Sequence, residues 1–317
     1  MTKGGALRLL RIAVAVGLTA FVLWRANPGE VWQAAASADW RWVAASVALV
    51  LLDRALMAYR WMVLLCALSH GSRPPFAAVL RIFFVSTFVG SFLPSVAGDM
   101  YRAYSLSRLR VSVMESAASV IMDRALGVLS MVLVAVVALS MARNLISLPG
   151  VLPTVLVAAL GCALAAGGLY NDRLAAAALA LSSYLPGAPF RRMAAGLIEA
   201  VRRYTLHHRE LTTVLAASIA VQLLRVVQAW CLGVALGISL PIWMYLVFIP
   251  LVVIVMQIPI TVSGLGTGQA MFGLLFTGAG VASADAIALS ILFVALGFVG
   301  NLPGALLYAS RKQEAAA

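Results

Sequence analysis

Six ionisable residues interrupt stretches of the chain that are otherwise apolar: Asp53, Arg54, Arg81, Asp123, Arg124 and Arg225. At the centre of a membrane helix each such charge costs roughly 2.5–3.5 kcal/mol on insertion scales, so its presence demands a partner or a task. Neighbours in sequence point about 100° apart on a helix, so Asp123 is not expected to neutralise Arg124 and each needs a partner on another helix. Pairing Asp53 with Arg124 and Arg54 with Asp123 is the economical solution. Two polar stripes run through the same stretches. Glu115, Ser119 and Asp123 fall at i, i+4, i+8, and Ser218, Gln222 and Arg225 at i, i+4, i+7. Turned inward, they would line a cavity. Asp99, Arg102, Asp123 and Arg124 cluster around one break in the chain and form the expected polar site, with Arg225, Gln257 and Gln269 opposite. Arginine suits a phosphate ligand, because its planar fork donates two hydrogen bonds at once. For Asp53 and Arg54 an ion pair that only fixes helix register is an equally good reading.

Other chemistries find no support. The chain lacks a Walker motif. His70 lies in a polar loop, and His207-His208 sit beside Arg209 in a linker. Cys66, Cys162 and Cys231 stand alone in apolar stretches, with neither disulfide nor zinc spacing. The glycines of Gly264-Leu265-Gly266-Thr267-Gly268 follow no Rossmann strand. No metal, no cofactor and no enzymatic activity are expected.

The elements that must position these residues are membrane helices. Of 317 residues 63% are hydrophobic and 11% charged, against about 25% charged in soluble domains. The mean hydropathy is +1.01. An all-α integral membrane protein is expected, a single domain over 1–317, with about six spanning helices and two re-entrant hairpins. Runs long enough to cross a bilayer lie near 7–24, 41–66, 113–142, 150–170, 212–236 and 284–309. The first resembles a signal peptide in outline, but no small-x-small site precedes Arg25, so an uncleaved helix is expected. Pro28-Gly29-Glu30 followed by Val31 and Trp32 reads as a short surface helix. Asp39 is placed to cap the next.

Two apolar segments, 76–96 and 241–279, are broken, at Pro94 and Gly98 and at Pro259, Gly264 and Gly266. Segment 171–211 is a polar linker. In it Phe190, Met193, Leu197, Val201 and Tyr204 recur at helical spacing, with Arg191, Arg192, Arg202 and Arg203 on other faces. That is the pattern of a basic interfacial helix, and an anionic lipid surface is its expected partner through 190–209. With a cytoplasmic N-terminus and 76–96 leaving by the side it entered, sixteen Lys and Arg fall inside against Arg25, Arg41 and Arg143 outside. This bias places both termini in the cytoplasm of a cell with an inner membrane.

A shift of 170 residues aligns the two broken regions. Gly98-Asp99 falls on Gly268-Gln269, and residues 115–127 fall on 285–297 with Ala118/Ala288, Ile121/Ile291, Ala125/Ala295, Leu126/Leu296 and Gly127/Gly297 identical. Half one, about 41–142, and half two, about 212–309, form an inverted repeat by the charge count. Paired interrupted segments in two halves point to a transporter site near the midplane, since irregular backbone at that depth must be buried or line a wet cavity.

The run Ser91-Phe92-Leu93-Pro94-Ser95-Val96-Ala97-Gly98-Asp99-Met100-Tyr101-Arg102 resembles the first signature of the flippase-like transmembrane region named after lysylphosphatidylglycerol synthetase/flippase proteins. Asp123-Arg124 with Gly127 resembles its second signature. Ser263-Gly264-Leu265-Gly266-Thr267-Gly268-Gln269 resembles its third, Gly-Gly-x-Gly-x-x-Glu, and Asn301-Leu302-Pro303-Gly304 its closing one. The resemblance implies re-entrant helices and translocation of aminoacylated phospholipids or polyprenyl-linked sugars. Gln269 replaces the expected Glu, which removes a titrating group from that position. Seven residues follow Ser310, so the aminoacyltransferase domain of bifunctional members, and with it synthesis, is not implied. The resulting expectation is a flippase or exporter of a polar-headed lipid, a phospholipid or a polyprenyl-phosphate-linked one. The rival is a membrane scaffold for a lipid- or glycan-synthesising enzyme.

Overall fold

A computed structural model describes residues 28–68, 74–92, 95–107, 112–141, 151–184, 187–257 and 266–314. The expected first span, 7–24, and the break residues Pro94, Pro259 and Gly264 lie outside them. Among the described residues every regular element is a helix. The short α1 (Pro28–Ala36) precedes α2 (Trp40–Leu68), α3 (Phe76–Phe92), α4 (Ser95–Ser107) and α5 (Val113–Met141). After α6 (Val151–Tyr170) come α7 (Asp172–Ser182), α8 (Ala188–Arg202) and a 3₁₀ turn (Arg203–Leu206). A second quartet follows: α9 (His208–Ala235), α10 (Ile242–Gln257), α11 (Thr267–Gly278) and α12 (Ser283–Glu314). Helices α2, α5, α6, α9 and α12 are long and apolar enough to cross a membrane, while α3 and α10 are apolar but shorter.

The two quartets share one plan: a long helix, two short helices and a long helix. Their mutual contacts exchange as a twofold relation requires. Helix α2 lies along α9, α3 packs on α12 as α10 packs on α5, and α2 meets α12 as α9 meets α5. Within each quartet the short helices pair with one another, α3 with α4 and α10 with α11. Close approach needs glycine at two of these crossings. A Cβ on Gly98 of α4 would lie 2.7 Å from the Ser86 carbonyl oxygen of α3, and one on Gly304 of α12 would lie 2.1 Å from that of Phe84.

Both ends of the bundle are fixed by local contacts. At one end Tyr204 is fully buried among Leu64 and Leu68 of α2, Ala118 and Met122 of α5, and Leu211 and Val214 of α9. Its hydroxyl donates to the Leu64 carbonyl at 2.9 Å. Burial, with Asp123 and Glu115 adding to it, pushes the phenol well up, so it remains a donor at any physiological pH. The Tyr170 ring stacks on His208 at 6.2 Å. The last turn of α2, the first of α5, the last of α6 and the first of α9 therefore share one face. At the other end the Asp39 amide donates to the Ala235 carbonyl at 2.9 Å, and Val31 of α1 packs on Leu236, Ala284, Ile287 and Ala288. The start of α2, the end of α9 and the start of α12 share that face. Helix α2 thus ends and α5 starts at the first face, while α9 ends and α12 starts at the second. Asp39 caps α2 as expected, accepting from the Arg41 amide at 2.9 Å.

The polar linker is itself helical and docked. Asn171 caps α7, accepting from the amides of Arg173 and Leu174. The apolar spacing of α8 divides in use: Leu197 and Val201 pack into the cluster around Tyr204, whereas Phe190 and Met193 stay exposed.

Candidate functional site

Between the quartets lies a cavity of about 500 Å³, within the range of ligand pockets. The tips of both short-helix pairs reach it, through Thr87, Gly90, Ser91 and Gly98 on one side and Val253, Met256 and Gln257 on the other. Five arginines (Arg54, Arg60, Arg102, Arg124, Arg225) and three aspartates (Asp53, Asp99, Asp123) line it. The wall is cationic in balance. Gln222, Gln228 and Asn301 add neutral polar groups, and Phe293, Val294 and Leu296 of α12 give it an apolar face.

The ion pairs differ from the economical pairing. Asp123 meets Arg60, whose Nε donates to its Oδ1 at 2.7 Å, and both residues are 4% exposed. Arg60 also donates to Ser218 at 2.9 Å, while Arg102 stands 4.0 Å from the other Asp123 oxygen. Arg124 turns outward to Asp99 at 2.6 Å, in a pair 41% and 21% exposed. Asp53 binds its own neighbour, accepting from Arg54 Nη1 at 2.8 Å, and faces Arg225 at 3.5 Å. Adjacent Cα–Cβ bonds do diverge, but the arginine side chain is long enough to fold back. It is held there by Asn301, which accepts from Arg54 Nε at 2.9 Å and donates to Ser91 at 2.8 Å.

Of the two polar stripes, Asp123, Gln222 and Arg225 line the cavity. Trp61 Nε1 donates to Ser119 at 3.1 Å and Gln222 to Ser130 at 3.4 Å. Glu115 leaves the cavity and pairs with Arg203 at 3.1 Å. Of the expected site residues, Asp99, Arg102, Asp123, Arg124, Arg225 and Gln257 come together, as does Gly98 of the break. Gln269 does not. It is 2% exposed, and its side-chain oxygen accepts from the Gly266 amide, capping α11 with Gly266 as N-cap. Arg60, Ser86, Gln228 and Asn301 join the site without having been expected there. The i, i+7 spacing of Asp53 and Arg60 places both on one face of α2 and was the available signal for Arg60.

Among the described residues hydrogen bonding separates the arginines into two kinds. Arg54, Arg60 and Arg124 each spend at least two donors on protein oxygens. Arg102 spends one, Nε to the Ser86 hydroxyl at 2.8 Å, and its guanidinium stacks on Phe83 at 4.5 Å and stands 5.3 Å from Trp61. Stacking fixes the plane of the fork and leaves its edge to accept a ligand. Arg225 donates only to the Met57 sulfur at 3.3 Å beside its contact with Asp53. Among the described residues two buried groups at the cavity wall, Asp53 Oδ1 and Gln228 Nε2, also lack a hydrogen-bond partner. A buried polar atom without a partner costs free energy that a ligand can return.

The arrangement can bind an anion in a fixed plane beside an apolar wall. Among the described residues no group of His, Cys, Asp or Glu is placed to hold a metal ion. No curated protein matches the chain. A family model described as the lysylphosphatidylglycerol synthase TM region matches residues 8–304.

Proposed function

Since the chain belongs to the lysylphosphatidylglycerol synthase transmembrane-region family, we propose that it carries a phosphate-bearing lipid across the inner membrane, with the head group passing through the cavity between the quartets. The observation that carries the reading is Arg102: a buried guanidinium, 8% exposed, aligned by two aromatic rings and, among the described residues, hydrogen-bonded through Nε alone. A phosphate can take its free edge in bidentate fashion, and Arg225 supplies a second under-used fork. The apolar wall of Phe293, Val294 and Leu296 suits the start of a lipid chain.

The helix ends support the route. Helix α2 ends and α5 starts at one face, and α9 ends and α12 starts at the other, which supports a reading of each short-helix pair as a re-entrant hairpin and of the halves as inverted. The face that holds Arg191, Arg192, Arg202, Arg203 and Arg209 is the cytoplasmic one by the arginine bias, and α12 ends there. In such a pair of halves a fixed site opens to either side as one hairpin and its frame rock against the other. The protein has no enzymatic role in this reading. Movement of one charge through 100 mV is worth about 2.3 kcal/mol, so an inside-negative potential drives an anionic head group outward.

The test uses purified protein in proteoliposomes with fluorescent anionic and cationic lipid analogues, read by access of an impermeant quencher. Anionic analogue should move faster, faster still under an imposed potential, and Arg102→Gln should abolish the difference. Faster movement of the cationic analogue, or no dependence on protein, overturns the proposal.

A further inference from the structure

The arm between the quartets carries exposed groups of two kinds that the cavity does not use. Phe190, Met193 and Leu206 are 58%, 51% and 81% exposed. Beside them in sequence stand Arg191, Arg192 and Arg209, all exposed, and among the described residues none of the three is ion-paired. Arg202 and Arg203 behave differently. Arg202 binds Asp172 and Arg203 binds Glu115, so these tie the arm to itself and to α5. Arg202 and Arg203 thus do structural work, whereas Arg191, Arg192 and Arg209 carry no ion pair among the described residues and stand beside large apolar side chains, Arg191 donating to the Ser183 carbonyl at 3.5 Å. Solvent alone gives no reason for that juxtaposition; the boundary of a bilayer does.

The height of the arm fits as well. It is clamped where α2, α5, α6 and α9 end, through Tyr204 and Leu64, Arg203 and Glu115, and Tyr170 and His208. Those four are candidate spans, so their ends mark the level at which the chain leaves hydrocarbon for head groups.

We infer that the arm is a second lipid contact, separate from the cavity: it lies on an anionic leaflet, with Phe190, Met193 and Leu206 at the acyl boundary and Arg191, Arg192 and Arg209 on lipid phosphates. The occupant is the membrane surface rather than a protein, because exposed basic groups stand next to exposed large apolar ones at both 190–193 and 206–209, the charge and polarity that an anionic head-group layer over acyl chains complements. Each arginine near an anionic surface is worth about fivefold in partition, and the contribution fades within a Debye length of salt. The inference needs only that the long helices cross a bilayer and does not rest on transport.

The experiment places an environment-sensitive fluorophore at Met193→Cys in the full chain, with Cys66, Cys162 and Cys231 replaced. The protein is reconstituted into phosphatidylcholine vesicles with or without one third phosphatidylglycerol. Nitroxide lipids labelled near the head group report depth. A second label at Leu156→Cys on the exposed side of α6 must be quenched in both vesicles, which certifies reconstitution. Quenching at Met193 should rise several-fold when phosphatidylglycerol is present, fall with added salt, and lose that dependence in Arg191→Gln/Arg192→Gln/Arg209→Gln. Equal quenching in the two vesicles, or a dependence that survives the triple variant, overturns the inference. A label that stays in water in both vesicles does so too, and leaves an acidic protein surface as the arm's partner.

Discussion

Arg102 on α4 and Asp123 on α5 face each other at 4.0 Å. At a shift of 170 residues stand Phe272 on α11 and Phe293 on α12, with ring centroids 5.5 Å apart. The substitution is systematic. Where the first quartet has Asp53, Ser86 and Asp99, the second has Leu223, Met256 and Gln269. One set of helix crossings is thus built twice, once around ions and once around apolar groups. The second version holds its helices through one buried cluster in which Phe272 stacks on Phe276 and Tyr245 meets Phe276 edge-on. The crossings therefore do not require charge, and the charges of the first quartet need another reason to be there. Buried ion pairs are weak evidence for stability, since apolar residues of like volume often serve as well. A cationic wall facing an apolar one is what an amphipathic cargo needs.

The largest effect that could break the comparison is all or none. If the quartets are inverted, Ser112→Cys is labelled by an impermeant thiol reagent from the cytoplasm, and Ser283→Cys from outside, in a background without the native cysteines. Labelling of both from one side ends the inverted reading. Next comes energy. Asp123→Asn leaves Arg60 buried and unpaired and should cost about 3–5 kcal/mol, while Arg60→Met/Asp123→Leu recovers most of it. In the second quartet Phe293→Leu should cost under about 1.5 kcal/mol. Thermal unfolding in detergent reads both; equal losses would mean that ions and rings carry the same load.

A smaller contrast lies at the glycines. Gly98→Ala drives a methyl against backbone, the Ser86 carbonyl at 2.7 Å, and should cost about 1–3 kcal/mol. Its counterpart Gly268→Ala meets only the flexible Met256 side chain at 3.1 Å, and the gain in helix propensity, up to about 1 kcal/mol, should leave it near neutral. Similar melting shifts for the two would show that the hairpins do not differ in closeness. The smallest stability effect is expected at the cavity mouth. Asp99→Asn breaks a half-exposed pair and should cost under about 1 kcal/mol, yet release Arg124 and slow anionic lipid movement at least tenfold. Unchanged transport would remove the pair from the site.

Much of this plan is legible in the sequence, because hydrophobic length and Gly/Pro breaks are local signals. Five of the expected spans reappear as long helices, and a short apolar helix, α3 or α10, opens each interrupted segment. The members of the site were readable where they stood beside a break, as Asp99 and Arg102 do. Partners were not. Arg60 lies near the end of the expected second span and counts as a flanking charge until α2 is seen to run on to Leu68. The Asp53–Arg54 contact depends on side-chain reach and on Asn301, 247 residues away, which no periodicity reports. Gln269 aligns with Asp99 and still points elsewhere, since a repeat conserves backbone positions and not the task of each side chain. The apolar stripe of α8 reads as one face, but protein takes its C-terminal part and leaves the rest exposed.

The contact between Asp53 and its own neighbour has a consequence for biogenesis. Helix α2 emerges from the ribosome long before α9 brings Arg225, 172 residues downstream, and longer before α12 brings Asn301. An isolated aspartate and arginine would each meet the hydrocarbon alone, at the roughly 2.5–3.5 kcal/mol apiece that insertion scales assign. Paired across one peptide bond at 2.8 Å, the two can enter as a neutral unit that carries its own counter-ion. Arg60 has to wait only for α5 and Asp123. The order of synthesis thus matches the order in which charges find partners: first within a helix, then within a quartet, and last between quartets. Separating Asp53 from Arg54 by one inserted alanine should therefore lower the yield of membrane-integrated α2 in a truncated nascent chain, before any cavity exists to be disturbed.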